Sequence, residues 1–223
     1  MVLDFFCIRH GQTANNKEHT LVGGQSLELP LTHEGKRQAC ALGMLLNRCR
    51  IVFDEIHSST AQRAIDTAQI ACMTDNGPNC CVPIKQHSEL LEINQGDWEG
   101  AVREEVYTEE VYKQIMADSY NFKAPNGESQ KELGERIHGW MQNKADELWG
   151  KGENKKIGVF FHGFAIKAWL RKILDFDPTL LYHFPIHNCS ITRVLYGYHG
   201  EKRWHTRCIN YSIDAITQDV TNG

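Results

Sequence analysis

"DFFCIRHGQTANN" occupies residues 4–16, an apolar run that turns polar at an arginine, a histidine and a glycine. Asp4-Phe5-Phe6-Cys7-Ile8 carries aromatic and β-branched residues and no turn former, which predicts a strand. Gly11 breaks the run, and Gln12 to Asn16 is polar and loop-like. The strand therefore delivers Arg9 and His10, two residues costly to bury, to its carboxyl end. In α/β proteins that end faces the crevice where ligands bind. The plain alternative is a strand that stops at a solvated surface.

A second stretch repeats the pattern. "KIGVFFHG" (156–163) is an apolar run that also closes on a histidine and a glycine. Between the two, "IVFDEIHSS" (51–59) predicts a strand, and "TAQRAIDTAQIACM" (60–73) predicts a helix with Ala64, Ala68, Ala71 and Cys72 inward. Thr32 to Arg48 reads as a helix that Thr32 caps, with Ala39, Leu42, Leu46 and Cys49 on its buried face. "PNGES" (125–129) predicts a turn opening a long helix that runs to about Trp149. Phe164 to Leu174 predicts one more helix. "NCSITRVLYGYHG" (188–200) and "KRWHTRCINY" (202–211) predict a hairpin with its turn near His199-Gly200.

Strands alternating with helices predict an α/β fold of three layers, α/β/α, around a mostly parallel sheet. The acidic, aromatic stretch after Gly100 predicts a small helical cap inserted behind the segment "LLEINQGDWEG" (90–100). The expected organisation is one domain over residues 1–223, with the cap at about 101–127.

Composition narrows the function classes. The 223 residues carry a formal charge of −4, which argues against nucleic-acid binding, a task that wants a basic face. No apolar run approaches the roughly 18 residues of a membrane span. The first residues lack a basic, then apolar, leader pattern. The expectation is a cytoplasmic protein whose eight cysteines are reduced thiols. Their spacing offers no Cys-x-x-Cys metal pair. No cysteine is followed six residues later by arginine, and no Gly-x4-Gly-Lys phosphate loop occurs, which removes two other phosphate chemistries. "ILDFDPT" (173–179) has the Asp-x-Asp-x-Thr form of Mg²⁺-dependent phosphatases, but it follows a predicted helix rather than a strand, and Pro178 fits a helix-terminating turn.

What remains is a phosphate cradle. Two strands ending on histidine would set His10 and His162 side by side. Arg63 falls in the first turn of the helix after the third strand, and helix N-termini favour anions. Arg9 and Arg63 offer planar forks to phosphate oxygens. A neutral imidazole can attack phosphorus. Glu92, after Leu90-Leu91, is the candidate proton donor, with Glu89 the competing carboxylate.

These residues resemble a known family. "IRHGQTANN" is similar to the Arg-His-Gly signature of the histidine phosphatase superfamily, also called phosphoglycerate mutase-like. "SSTAQRAIDTA" (58–68), "LPLTHEGKRQA" (29–39), "LLEINQGDWEG", "PNGES", "FFHG" and "NCSIT" (188–192) resemble its further blocks in the same order. The resemblance implies that His10 accepts the phosphoryl group, that Arg9, Arg63 and His162 complete the pocket, and that Glu92 donates the proton. It implies substrate contacts at Asn16, Gly24 and Gly163, a small phosphorylated substrate, and no metal or other cofactor. The short stretch between Glu92 and His162, and Phe164 after the His-Gly pair, favour its small-molecule phosphatases over its mutases. Mutase-type transfer and a weakly active binding module are the alternatives. Trp98, Tyr120, Phe122 and Phe164 are open to two readings, an aromatic wall for substrate or core. The histidines at 57, 138, 183, 187, 199 and 205 are expected at the surface or in structural roles.

Overall fold

The computed structural model describes residues 1–73, 77 and 79–212. Its sheet has six strands in the order β3-β2-β4-β1-β5-β6. They are β1 (Leu3–Arg9), β2 (Glu55–Ser59), β3 (Ile84–His87), β4 (Lys155–Phe161), β5 (Ile191–Tyr196) and β6 (Trp204–Tyr211). The first four run parallel, while β5 lies antiparallel to β1 and β6 antiparallel to β5. The fold is α/β with a mostly parallel sheet, as the alternation of elements predicts.

Central strands covered on both faces must be apolar on both. Leu3, Phe5 and Cys7 of β1 enter one core with residues of α6 (Gln130–Trp149) and α7 (Gly163–Leu174). Phe6 and Ile8 enter the other, with α2 (His33–Arg48) and α3 (Gln62–Cys72). Asp4 interrupts this pattern, and Arg193 of β5 meets its carboxylate with two bonds of 2.8 and 2.6 Å. Before α2 comes the short α1 (Ala14–Glu18), and between β3 and α6 lie α4 (Arg103–Val106) and α5 (Glu109–Ala117). No helix of the described residues is long and apolar enough to cross a membrane.

Two local expectations change, and one strand has no counterpart in the sequence reading. The strand drawn from residue 51 begins only at Glu55. The Phe53 amide donates to Asn79 Oδ1 at 2.7 Å, so a side chain, not a neighbouring strand, satisfies this backbone. Cys49 is exposed at the end of α2, where the buried stripe has already stopped. The edge strand β3, "IKQH", has one apolar residue in four and no alternation for a pattern to reveal. Thr32 caps α2 through the Gly35 amide, and Ser129 caps α6 in a reciprocal capping box with Glu132.

In-register pairing sets the site. Arg9 pairs with Phe161 across β1 and β4, so His10 and His162 follow matched strand ends. Ser58 of β2 pairs with Phe160, which brings Ser59 to the same edge.

Candidate active site

The carboxyl edge of the sheet opens into a cleft of about 720 Å³ lined by Arg9, His10, Asn16, Gly24, Arg63, Glu92 and Gly163, among others. His162 packs behind it, with its ring 5.2 Å from that of His10 at 62°. Every residue singled out for the site therefore lies in or against one cavity. Glu89 does not line it; its carbonyl accepts from Arg136 instead.

His10 is buried, and its Nδ1 lies 2.7 Å from the Gly11 carbonyl. A carbonyl only accepts, so Nδ1 carries the proton and Nε2 keeps its lone pair. Arg63 Nε–H donates to that Nε2 at 3.3 Å. Burial, then Arg63 and Arg9, hold the imidazole well below its usual pKa, so it is neutral. Gly11 is required by packing as well: a Cβ there would stand 2.5 Å from the Gly35 carbonyl oxygen of α2.

Arg63 lies in the first turn of α3, under a loop that turns its carbonyls toward the guanidinium. It donates to the Gln25, Ser26 and Gly24 carbonyls at 3.0, 2.8 and 3.0 Å. Glu99 holds the loop, accepting from the Gln25, Ser26 and Gln95 amides at 2.8, 3.4 and 3.2 Å. A side chain at Gly24 would run into the Glu99 carboxylate. Burial brings Arg63 down to about 10 against the pull of Glu92 and Glu99, which leaves it charged.

Arg9 donates from one terminal nitrogen to the Ile186 carbonyl at 2.6 Å. Its Nε is buried without a partner among the described residues, as is His162 Nδ1. Unpaired buried polar atoms are uncommon in native folds, and two of them here suit a pocket built for an anion. The other ring nitrogen of His162 meets Ser59 Oγ at 2.9 Å. Asn16 Oδ1 accepts from the Thr13 amide and hydroxyl, both at 3.1 Å, and from Asn188 Nδ2 at 3.3 Å. That arrangement commits its oxygen and leaves its amide N–H groups for an incoming acceptor.

Glu92 sits against the N-terminus of α7. Its carboxylate accepts from the Phe164 amide at 3.1 Å, the Ala165 amide at 3.0 Å and the Ile93 amide at 2.9 Å. Burial pushes the carboxyl upward and outweighs those amides, Arg63 and Arg9. The backbone that carries Glu92 is clamped from α6. Arg136 donates to the Glu89, Leu91 and Glu92 carbonyls at 2.8, 3.0 and 3.2 Å and grips Glu128 with two bonds of 2.8 and 2.7 Å.

Residues 5–210 match the histidine phosphatase superfamily, branch 1. The chain belongs to that superfamily. Among curated relatives, a probable phosphoglycerate mutase GpmB of Salmonella arizonae is 29% identical over 205 residues, covering 91% of this chain and 88% of the relative. Among solved structures, the phosphoserine phosphatase of Entamoeba histolytica in complex with 3-phosphoglyceric acid superposes with a TM-score of 0.77 at 25% identity. It covers 95% of this chain and 98% of that one. The mycobacterial glucosyl-3-phosphoglycerate phosphatase shares the fold, with a TM-score of 0.77 at 22% identity over 95% and 100% of the two chains.

Within this member of the superfamily, sequence reasoning missed several contributors. Asn188 donates to the His10 carbonyl at 2.9 Å as well as to Asn16; it opens the "NCSIT" block, the one available signal. Glu99 and the Arg136–Glu128 pair act through backbone groups and leave no pattern in sequence. His187 lines the cleft, with Nδ1 3.0 Å from Asn210 Nδ2. Of the four aromatics in question, Trp98, Phe122 and Phe164 line the cleft, whereas Tyr120 lies under Arg171 with the guanidinium carbon 4.1 Å from its ring centroid. Asp175 caps the end of α7 in a left-handed conformation, and Asp177 accepts from the Thr179 amide at 2.8 Å, so the Asp-x-Asp-x-Thr run is a helix-ending turn. Among the described residues, no three His, Cys, Asp or Glu side chains are grouped to hold a metal ion.

Proposed function

We propose that the protein is a phosphomonoesterase that hydrolyses a small phosphorylated metabolite through a phosphohistidine at His10. The observation that carries this is the His10 imidazole, kept neutral by burial and the two arginines and left with a free Nε2 by its bond to the Gly11 carbonyl, in one cleft with Arg63, Arg9 and Glu92 and with His162 behind it. The imidazole attacks phosphorus, the N–P bond forms and the ester O–P bond breaks. Arg9 and Arg63 offset charge on the equatorial oxygens, with Asn16 and Gly163 as further donors. Glu92 delivers its proton to the departing alkoxide. The resulting carboxylate then takes a proton from water, whose oxygen attacks phosphorus and releases His10 and inorganic phosphate. The sum is ester plus water to alcohol plus phosphate, with the two arginines as the cations and no metal or cofactor required.

In this reading the chain acts as one domain with residues 101–127 as a lid, supported by Arg103, Tyr107, Tyr112, Ile115 and Met116 lining the cleft. Rapid-quench labelling tests it: a phosphoprotein labile to acid and stable to base should form in the wild type and be absent in His10→Ala. The curated relatives favour a second reading, phosphoglycerate mutase-type transfer. With 3-phosphoglycerate and catalytic 2,3-bisphosphoglycerate, we expect little 2-phosphoglycerate. Isomerisation faster than phosphate release from every ester tried would assign the mutase instead.

A further inference from the structure

We infer that the alcohol esterified to the phosphate is bulky and apolar or aromatic, carries no ammonium group, and seats against Phe164, Tyr182, Trp98, Tyr112 and Met116. This rests on the phosphomonoesterase reading and deepens it. A phosphoryl group fills only a small part of a cleft of about 720 Å³, a size typical of pockets for whole drug-sized ligands. The walls beyond His10 are mostly apolar and aromatic. Phe164 at the start of α7 lies 6.1 Å from Tyr182, and Trp98 lies 5.9 Å from Phe122, ring centre to ring centre.

Three of these cleft-lining side chains are also widely exposed: Tyr112 at 53%, Met116 at 58% and Tyr182 at 51%. Large apolar groups clustered at the mouth of a polar pocket are covered by what binds there. Continuity fixes the occupant, because the same cavity reaches His10, Arg9 and Arg63. Whatever places its phosphate on them lays its alcohol along these rings.

Charge excludes another class of alcohol. The lining carboxylates are Glu92, at the phosphate end, and Glu128, which is held by both arms of Arg136. Arg103, Lys123 and Lys167 also line the cleft. Lys167 donates to the Leu181 carbonyl at 2.8 Å, and burial lowers its pKa. An aminoalkyl phosphate such as phosphoethanolamine would bring an ammonium group to a wall whose lining has cations and no uncommitted carboxylate.

A series of primary-alcohol phosphates tests this, since their leaving groups are nearly equal in basicity. The series is ethyl, 2-phenylethyl and 2-(1-naphthyl)ethyl phosphate, with phosphoethanolamine beside it. From ethyl to naphthylethyl, kcat/KM should rise roughly 10–100-fold, the effect of burying one or two rings. Phosphoethanolamine should fall at or below ethyl phosphate. Met116→Ala, at an exposed position, should lower the naphthylethyl value about 3–10-fold and the ethyl value by less, so that their ratio falls. A flat series, a preference for phosphoethanolamine, or an unchanged ratio in Met116→Ala overturns the inference. If no ester is turned over, the phosphatase reading itself fails. Calorimetric binding of the same esters to the wild-type protein then decides: tighter binding of the naphthylethyl ester supports the apolar seat, and equal affinities reject it.

Discussion

Arg63 Nε–H donates to His10 Nε2 across 3.3 Å, so the lone pair proposed to attack phosphorus is already held by a cation. Burial and the two arginines keep that imidazole from protonating. Its lowered pKa means that, in the free protein, acid does not remove the nucleophile as pH falls through the ordinary histidine value of about 6.5. Glu92 shifts the opposite way and must be protonated to act as the acid. On an alkyl phosphate, kcat/KM, which reports the free protein's groups, should therefore hold or rise as pH falls through this range and decline on the basic side. A pH–rate profile that collapses below about pH 6.5, the ordinary histidine value, would contradict a neutral buried His10.

Glu92→Gln separates proton donation from the other steps. An alkoxide leaves badly without a proton, whereas p-nitrophenolate leaves unassisted. The first turnover of an alkyl phosphate should slow about 10²–10⁴-fold, and that of p-nitrophenyl phosphate much less. Pre-steady-state phosphate release measures both. Equal losses would remove the acid role from Glu92.

His10→Ala should lower p-nitrophenyl phosphate hydrolysis on the order of 10³-fold or more, as expected when a covalent step is lost. Its buried ring leaves little else in the cleft able to attack. Near-wild-type turnover in a steady-state assay would reject the assignment.

The Arg136–Glu128 clamp should act on Glu92 without touching substrate. Arg136→Ala frees three carbonyls and leaves Glu128 with the Asn94 amide but no cation, a loss of about 1–3 kcal/mol in chemical denaturation. Activity should fall about tenfold on alkyl phosphates and change little on p-nitrophenyl phosphate, because the misplaced group is the proton donor. A uniform decline on both substrates would mark a purely structural role.

Stability should decrease as the solution is acidified from about pH 7 to 5. His10 and His162 sit well below their ordinary pKa, and His57 is lowered to about 4 by burial and Lys144. Facing His57 are also Glu55, whose Oε2 lies 3.0 Å from its Nε2, and His87, 2.9 Å from its Nδ1. Below about pH 6.5 the unfolded chain takes up protons that these folded histidines refuse, at up to about 1.4 kcal/mol per pH unit for each. Glu92, raised in the fold, works in the other direction and offsets part of one histidine. Calorimetry should show the melting temperature dropping over the window; a constant or rising value would mean that these rings protonate freely in the fold.

Legibility in sequence followed the physics of each part. Strands β1 and β4 are buried on both faces, so their apolar runs stand out and the histidines at their ends with them. Arg63 followed from the alternation of strand and helix. β3 escaped because an edge strand with one covered face needs no pattern. Glu99, Arg136 and Asn188 escaped for another reason: they hold backbone groups of distant segments, and such contacts exist only once the chain has closed. The aromatic lining was half legible. Trp98, Phe122 and Phe164 stood out by type, while Tyr112, Met116 and Tyr182 lie on elements with no motif.

The neighbours of β1 also bear on how the protein is made. This strand is made well before its partners, since it pairs with β4, beginning at Lys155, and with β5, ending at Tyr196. At about 5–20 residues per second, synthesis leaves both of its edges open for many seconds. The nascent chain must carry the row Phe5, Phe6, Cys7 and Ile8 through that interval as an unpaired, aggregation-prone edge. His10 waits nearly as long as its strand, since Asn188, which donates to its carbonyl, is made just before β5. Assembly of the candidate site and pairing of this strand thus come late in synthesis, and together.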